Sequence, residues 1–274
     1  MIMYWSTMKS IILSFVVCVL FHCSVLAANE SRIRVRASAP TPFPQPLDES
    51  YSSDLKKAKR TPPPPPPPPY IPNFDIFMLS ETWPAAFCKI NTCASPIPAP
   101  IKFKIHGLWP SNITGQQPEQ CSPGITVPTD IGILGSILNK LNSNWPSLID
   151  SKDLIVIRNN KLWQHEWKKH GSCSYPLFTF REYFETGLNL YAKHDLMAIL
   201  AREGIKPGKF VSKVDIVDAI YKHINFKPQI RCAQDTRNTN YLYEIRLCFT
   251  VSKTPQYVNC TAQYINCAID QVYY

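Results

Sequence analysis

The chain has 274 residues, of which 45% are apolar and 18% are charged, proportions typical of globular proteins. This length is enough for one large domain or two small ones, with a core that does not depend on a cofactor. The net charge of +9 suits a polyanionic partner such as nucleic acid, although charge alone does not identify one. No stretch after residue 27 is apolar and long enough to span a bilayer, which argues against an integral membrane protein after processing.

The first 27 residues have the pattern of a secretory signal peptide. Lys9 precedes an uncharged apolar run over residues 11–26, and the small residues Ala27 and Ala28 follow it. A basic start, a short apolar middle and a small-residue end are typical of such signals. A membrane anchor is the alternative, but the run is shorter than the roughly 20 residues of a spanning helix. We therefore expect a secreted, extracellular protein with no stable membrane association, and the vacuole is the alternative destination.

Residues 28–70 are predicted to form a proline-rich tail. Eight consecutive prolines occupy positions 62–69. Proline fixes φ and has no amide hydrogen, so this run favours an exposed polyproline II helix. Few large apolar residues accompany it, so it should not pack into a core. We interpret it as a spacer; a propeptide cut near the basic residues 57–60 and a ligand for a proline-binding partner are the alternatives.

Residues 71–274 are predicted to form one domain. Hydrophobic periodicity and capping residues predict strands at 74–79, 102–108, 241–251 and 257–259, and helices at 130–141, 161–170, 180–203 and 214–224. Because strands flank a helical middle, the predicted class is α+β.

Cysteine usage agrees with secretion. Two of the ten cysteines lie in the predicted signal peptide, and the other eight are Cys88, Cys93, Cys121, Cys173, Cys232, Cys248, Cys260 and Cys267. An even number in a secreted chain indicates disulfides, but eight cysteines allow 105 pairings, so the count alone assigns none. The eight contain no C-x-x-C pair, which argues against a zinc site.

The first candidate catalytic residue is His106, in the segment Lys104–Pro110. We expect a strand to deliver this histidine and to stop at Gly107 and Pro110. A titratable ring at a strand end, beside the indole of Trp109, is well placed in a cleft.

The second candidate cluster lies in residues 162–171. On a helix, the side chains of His165, Glu166, Lys169 and His170 would share an arc of about 140°. Two histidines, a carboxylate and an ammonium group on one face suggest a working site.

Aromatic side chains border that face. Trp163 and Trp167 occupy the adjoining arc and should be buried, and Gly171 should end the helix. The histidines at 194 and 223 lie among charged residues of other predicted helices, and we expect both at the surface.

Several hydrolytic chemistries fit the cluster poorly. The metalloprotease pattern H-E-x-x-H needs its second histidine at i+4, whereas here position 169 is lysine and the histidine comes at i+5. Ser172 and Cys173 lie close by, but neither is in a recognisable nucleophile setting. We expect no metal and no cofactor.

Cleavage of RNA fits the cluster better, since the substrate supplies its own 2′-OH as nucleophile. Two imidazoles with pKa values near 6.5 can serve as base and acid. Lys169 and a protonated His165 can stabilise charge on the phosphoryl oxygens, and Glu166 can orient a neighbour. Trp109 offers a face on which a base can stack, worth about 1–3 kcal/mol.

At these two segments the chain resembles the ribonuclease T2 family, which is marked by an I-H-G-L-W-P-type and an H-E-W-x-K-H-G-x-C-type motif. Here the motifs stand at Ile105–Pro110 and His165–Cys173. The spacing of Cys88 and Cys93 and the four late cysteines are similar to those of plant members, including the S-ribonucleases of self-incompatible flowers. The likeness covers about residues 74–267, and the proline-rich tail departs from it.

The resemblance implies a central antiparallel sheet with packed helices and a 2′,3′-cyclic phosphate product that water later opens. It makes His106 and His170 the acid–base pair, with His170 expected to take the 2′ proton. It gives His165 a phosphate-binding role, and Glu166 and Lys169 a role in stabilising the charged transition state.

The resemblance also implies substrate contacts and a disulfide pattern. Trp109 and Leu162 would contact the substrate. The implied disulfides are Cys88–Cys93, Cys121–Cys173, Cys232–Cys267 and Cys248–Cys260.

RNA is the expected partner; we expect a monomer, and the sequence identifies no protein partner. Asn112 begins a glycosylation sequon, as do Asn29 and Asn259, although a buried Cys260 would make the last a poor acceptor. The main alternative function is an inactive relative kept for storage or recognition, and a proline-rich cell-wall protein is a third. The inactive relative is disfavoured because no catalytic histidine is missing.

Overall fold

The structure is a computed structural model that describes residues 71–121 and 126–274. The predicted signal peptide and proline-rich tail lie outside the described residues, and their boundaries stay predictions. The described residues belong to one compact unit. None of their helices is both long and apolar enough to cross a membrane.

Six helices and eight strands are described below by their bounds. The helices are α1 (Pro84–Ile90), α2 (Leu138–Asn144), α3 (Ile155–Lys169), α4 (Phe180–Tyr191), α5 (Leu196–Arg202) and α6 (Lys213–Ile224). The strands are β1 (Ile76–Thr82), β2 (Lys104–Ser111), β3 (Phe210–Ser212), β4 (Gln229–Gln234), β5 (Asn240–Thr250), β6 (Tyr257–Val258), β7 (Tyr264–Ile265) and β8 (Gln271–Tyr273). Short 3₁₀ helices at Ile131–Ile137 and Gly171–Ser174 precede α2 and follow α3.

One sheet organises the domain and confirms the α+β prediction. Its main strand order is β2-β1-β5-β4-β7, so β1 and β5 are central and β2 is at an edge. The long pairs β1–β2, β1–β5 and β4–β5 are antiparallel, but the short strands β7 and β8 pair in parallel with β4 and β5. The pairs β3–β8 and β5–β6 are also antiparallel, so the sheet is antiparallel except where β7 and β8 join β4 and β5.

The prediction that strand β2 stops at Gly107 and Pro110 is wrong. The strand continues to Ser111, and Pro110 lies opposite Phe77 of β1. A proline cannot donate to a ladder, but an edge strand has one side without a partner, so proline is tolerated there.

The helical predictions need three corrections. Residues 180–203 form two helices, α4 and α5, because Asp195 caps the second one by accepting a hydrogen bond from Ala198 N at 2.9 Å. Helix α3 begins at Ile155, earlier than predicted. Most of residues 130–141 is 3₁₀ helix, with a kink at Gly135 (φ 45°).

Helices α3 and α4 cover one face of the sheet through large aromatic side chains. Trp163 and Tyr183 are fully buried in the main core. The Tyr183 hydroxyl donates to Leu108 O at 2.7 Å, and the Tyr191 hydroxyl donates to Phe103 O at 2.6 Å. These bonds tie α4 to the edge of the sheet that carries His106.

All four disulfides implied by the family resemblance are present, and that prediction is confirmed. They join Cys88–Cys93, Cys121–Cys173, Cys232–Cys267 and Cys248–Cys260.

Candidate active site

His106 is the extra residue of a β-bulge. Ser80 of β1 lies opposite Gly107 and Glu81 lies opposite Ile105, so His106 has no Cα partner on β1. A bulge inserts one residue into a ladder and re-aims its side chain, and bulges are common beside active sites. His106 therefore lies inside β2, not at its end as predicted.

The imidazole of His106 is bound on one side by a buried carboxylate. Its Nδ1 lies 2.7 Å from Oε1 of Glu244, whose side chain is 1% exposed. Arg246 donates to the other oxygen of that carboxylate, from Nε at 3.1 Å and from Nη2 at 2.8 Å. A second guanidinium, that of Arg231, lies 3.7 Å from Oε1.

Helix α3 presents the second group of residues. Trp163 and Trp167 are buried as predicted, and this burial fixes the rotation of the helix. Glu166 is also buried, whereas His165 is exposed and Lys169 is partly exposed.

His170 follows the last turn of α3 and is 4% exposed. The disulfide between Cys121 and Cys173 ties this end of the helix to the preceding loop. In the same loop, Gln120 N donates to Lys169 O at 2.9 Å. Among the described residues, Nδ1 of His170 has no hydrogen-bond partner.

Trp109 joins the two groups. Its ring centroid lies 5.1 Å from that of His106 and 5.4 Å from that of His170. Its Nε1 donates to Oε2 of Glu166 at 3.0 Å, and the guanidinium of Arg246 lies 5.0 Å from the indole centroid. Both imidazoles therefore lie next to the same indole.

The indole is 5% exposed. It is a buried contact shared by His106, His170 and Glu166. The prediction that it stacks on a base stays untested. Close packing around it requires glycine at 107, where a Cβ would lie 2.1 Å from Nε1 of Trp109 and 2.3 Å from Oε2 of Glu166.

The imidazoles of His106 and His170 have opposite pKa shifts. Burial lowers the pKa of His106, but the hydrogen bond and charge of Glu244, with the charge of Glu166, outweigh it and raise the pKa above its ordinary value. Burial, with the positive charges of Lys169 and His106, lowers the pKa of His170 to about 3. At mild pH this arrangement favours a protonated His106 beside a neutral His170.

The neighbouring groups are shifted as well. Burial and the charge of Lys169 lower the pKa of His165. Burial raises the pKa of Glu166 despite the opposing charge of His106. Burial also opposes ionisation of Glu244, but the hydrogen bond to His106 and the charges around it hold the pKa of this carboxyl well below its usual range.

Lys169 has a partner outside the cluster. Its Nζ lies 3.1 Å from Oε1 of Glu119, and both side chains are partly exposed. An anion that binds Lys169 must therefore compete with a carboxylate.

Leu162 lines a small cavity of about 60 Å³ that opens beside His106. Thr82, Phe87 and Ile149 contribute to the same wall. The substrate contact expected of Leu162 stays a prediction.

The structure places the other sequence candidates away from the site. The side chain of His194 is 1% exposed, not at the surface as predicted, and its Nε2 lies 2.5 Å from Oε1 of Glu81. His223 pairs with Glu203 near the surface of α6. Asn112 lies just after β2 in a turn next to the exposed Ile113, so its sequon is accessible.

The other two sequons differ. Asn29 lies outside the described residues. Cys260 of the third sequon is 2% exposed and disulfide-bonded, and the neighbouring Asn259 accepts a hydrogen bond from Lys227 N.

Glu244 and Arg246 are not among the site residues that the sequence predicts. A signal was present, because alternation along β5 places Glu and Arg on one face of a strand that is otherwise mostly apolar. A carboxylate and a guanidinium buried on one strand need partners.

Comparisons with known proteins show which proteins this chain is similar to. The chain matches the model of the Ribonuclease T2 family over residues 74–260. It is similar to Ribonuclease 3 of Arabidopsis thaliana, with 36% identity over 197 residues that cover 70% of this chain and 85% of that protein. It is also similar to Ribonuclease S-F11 of Nicotiana alata, with 37% identity over 178 residues, 65% of this chain and 87% of that protein.

A solved structure shows the same fold. The crystal structure of RNase NT in complex with 5′-AMP matches with a TM-score of 0.65 and 27% identity, over 74% of this chain and 98% of that one. The region matched by the family model contains every residue of the site described above.

Proposed function

The chain belongs to the ribonuclease T2 family and is an endoribonuclease, and on this basis we propose that it cuts RNA by attack of a 2′-OH on the adjacent phosphorus. The new O2′–P bond forms as the P–O5′ bond breaks, which gives a 2′,3′-cyclic phosphate and a free 5′-OH. Water then opens the ring to a 3′-phosphate. No enzyme nucleophile takes part.

The two imidazoles that contact Trp109, with opposite pKa shifts, carry this proposal. His170, neutral at mild pH, takes the proton of the 2′-OH. His106, which keeps its proton to higher pH, gives it to the departing O5′. In the second step His106 takes a proton from water, and His170 returns one to O2′.

The remaining groups of the cluster bind and stabilise charge. Lys169 and His165 lie on the exposed side of α3 and bind the phosphoryl oxygens, where the charge of the transition state develops. Glu166 orients Trp109 and adds negative charge beside His106. Leu162 contacts the base.

The working range of pH follows from the two imidazoles. Cleavage needs neutral His170 and protonated His106, so the rate should be maintained at acidic pH and fall as pH rises through the raised pKa of His106. A pH profile of kcat/KM tests this, since these groups titrate in the free enzyme.

Secretion, the monomeric state and the absence of a metal requirement are part of the proposal. The intact eight-cysteine framework supports an oxidising compartment. A role in self-incompatibility stays a prediction, because similar relatives include both Ribonuclease S-F11 and Ribonuclease 3. The presence of His106, His165, Glu166, Lys169 and His170 in one site argues against an inactive relative.

The test uses the secreted full-length chain, RNA and EDTA, with ³¹P NMR to detect cyclic phosphate ends. We expect cyclic phosphate from RNA and no cutting of a matched substrate with a 2′-deoxy sugar at the scissile position. Loss of activity in EDTA that added metal restores, or cutting of the deoxy substrate, would contradict the mechanism.

A second experiment assigns the acid and the base. A uridine 3′-aryl phosphate has a leaving group that departs without a proton. His106→Ala should regain most of its activity on this ester, whereas His170→Ala should not. The reverse pattern would exchange the two roles.

A further inference from the structure

The carboxylate of Glu244, which binds His106, is buried and needs partners that compensate its charge. Glu244 lies on central strand β5, with its side chain 1% exposed, and is separated from His106 by 138 residues of sequence. Taking a carboxylate out of water is costly unless several partners compensate it. Here those partners are the imidazole of His106 and the guanidinium groups of Arg246 and Arg231.

The bond geometry decides which nitrogen of His106 carries a proton. An ionised carboxylate only accepts hydrogen bonds, and Oε1 of Glu244 lies 2.7 Å from Nδ1. Nδ1 therefore keeps its hydrogen in both charge states of the ring. The proton that His106 exchanges with substrate is then the one on Nε2.

Arg246 limits the effect of that carboxylate. It binds the oxygen that His106 does not use, through two nitrogens, and it also lies over Trp109. This contact fixes the carboxylate plane and places a positive charge close to His106. Without it, Glu244 would hold the imidazolium more strongly and make His106 a weaker acid.

We propose that Glu244 is a positioning residue that fixes the Nδ1–H tautomer of His106 and aims Nε2 at the leaving oxygen, and that Arg246 holds Glu244 and moderates its charge. The inference rests on the proposed function of His106 as the acid. The charged and titratable groups that act on His106 are Glu244 and Arg246 on β5, and Glu166, His165 and His170 on and just after α3.

The first test needs no variant. In ¹H–¹⁵N spectra of the full-length protein, the neutral ring of His106 should show Nδ1 protonated and Nε2 bare. A neutral ring with its hydrogen on Nε2 would overturn the proposal.

The second test compares three variants by NMR titration of His106. Glu244→Gln removes the negative charge but keeps the shape, so the pKa of His106 should fall. Arg246→Gln removes a positive charge, so the pKa should rise. Glu81→Gln is the matched control, because Glu81 is an equally buried partner of another histidine, and it should leave the titration of His106 unchanged.

The loss of activity in Glu244→Gln should accompany the fall in the pKa of His106. Glu244→Gln should lower kcat by at least about tenfold, and by less than the roughly 10²–10⁴-fold that a positioned acid supplies. KM should stay near the wild-type value, and the basic limb of the kcat profile should move to lower pH. Glu244→Asp, which keeps the charge, should retain the raised pKa. Arg246→Met, which also removes the positive charge, replaces Arg246→Gln if that variant fails to fold.

The outcomes separate the two levels of the proposal. An unchanged titration of His106 in Glu244→Gln would overturn the role of Glu244 whatever the activity. Full activity in His106→Ala would overturn the proposed function, even if the titration shifts as expected.

Discussion

The two faces of the central sheet each carry a histidine–glutamate pair, and only one of them belongs to the site. His106 pairs with Glu244 at 2.7 Å, and His194 pairs with Glu81 at 2.5 Å. Glu81 lies opposite Ile245 in the β1–β5 register, so the two glutamates are on neighbouring strands but on opposite faces. Both carboxylates are 1% exposed.

The histidines make the difference. The side chain of His106 is 39% exposed and that of His194 is 1% exposed. His194 uses both ring nitrogens, one with Glu81 and the other with the hydroxyl of Tyr257 at 2.8 Å. No nitrogen of His194 is left for a substrate. A buried histidine–glutamate pair is therefore no sign of catalysis unless one nitrogen reaches a cleft.

The largest expected effect is a loss of activity on replacing His106 but not His194. His106→Ala should lower kcat by roughly 10²–10⁴-fold, because it removes the proton donor. The folded fraction of His194→Ala should cut RNA at the wild-type rate. Initial rates on a dinucleotide, normalised to folded protein by near-UV circular dichroism, measure both, and comparable losses would break the comparison.

The free energy of unfolding should depend strongly on His194, although activity does not. His194→Ala leaves Glu81 buried without its partner, which should cost about 3–5 kcal/mol of unfolding free energy. Urea unfolding measures the loss, and His223→Ala, near the surface, is the control expected to stay close to wild type. A His194→Ala midpoint equal to that of His223→Ala would show that the buried pair does not stabilise the fold.

A smaller effect concerns pH and the buried ring of His170. Its folded pKa of about 3 lies below the roughly 6.5 of an unfolded histidine, so the unfolded chain binds more protons between these values. Stability should therefore fall as pH is lowered through this window. His170→Gln should flatten this dependence in urea unfolding between pH 7 and pH 4, and parallel curves for the two proteins would contradict the shift.

The smallest effect belongs to the exposed pair on the site face. Glu119→Gln releases Lys169, so KM for RNA should fall about two- to threefold, while stability changes by less than about 1 kcal/mol. The gain should shrink at high salt, where the pair is screened. A raised KM would mean that Glu119 helps to order the loop and does not compete with the substrate.

The sequence predicted the site best where its residues are close in the chain. Helical spacing alone grouped Glu166 and His170 and buried the two tryptophans of α3, because one rotation of the helix satisfies both. The pairing of His106 with Glu244 joins β2 to β5 across 138 residues. The sequence signal for this pairing was the presence of Glu244 and Arg246 in one mostly apolar strand. Only the pairing of the strands shows that Glu244 lies next to His106.

Other errors had the same origin. His194 looked exposed among charged neighbours, but the break between α4 and α5 turns it toward Glu81. Pro110 looked like a strand end, but the edge position of β2 tolerates it. In each case local preference was overridden by a tertiary contact that lies far away in sequence.

The bulge at His106 has a consequence for the pairing of β1 with β2. Ser80 and Glu81 are consecutive on β1, and they face Gly107 and Ile105. If His106 were deleted, those two residues would become neighbours and the ladder would close without a slip, at the loss of the Trp145 bond to the His106 carbonyl. His106, the proposed proton donor, is thus one extra residue in a pair of strands whose register is complete without it.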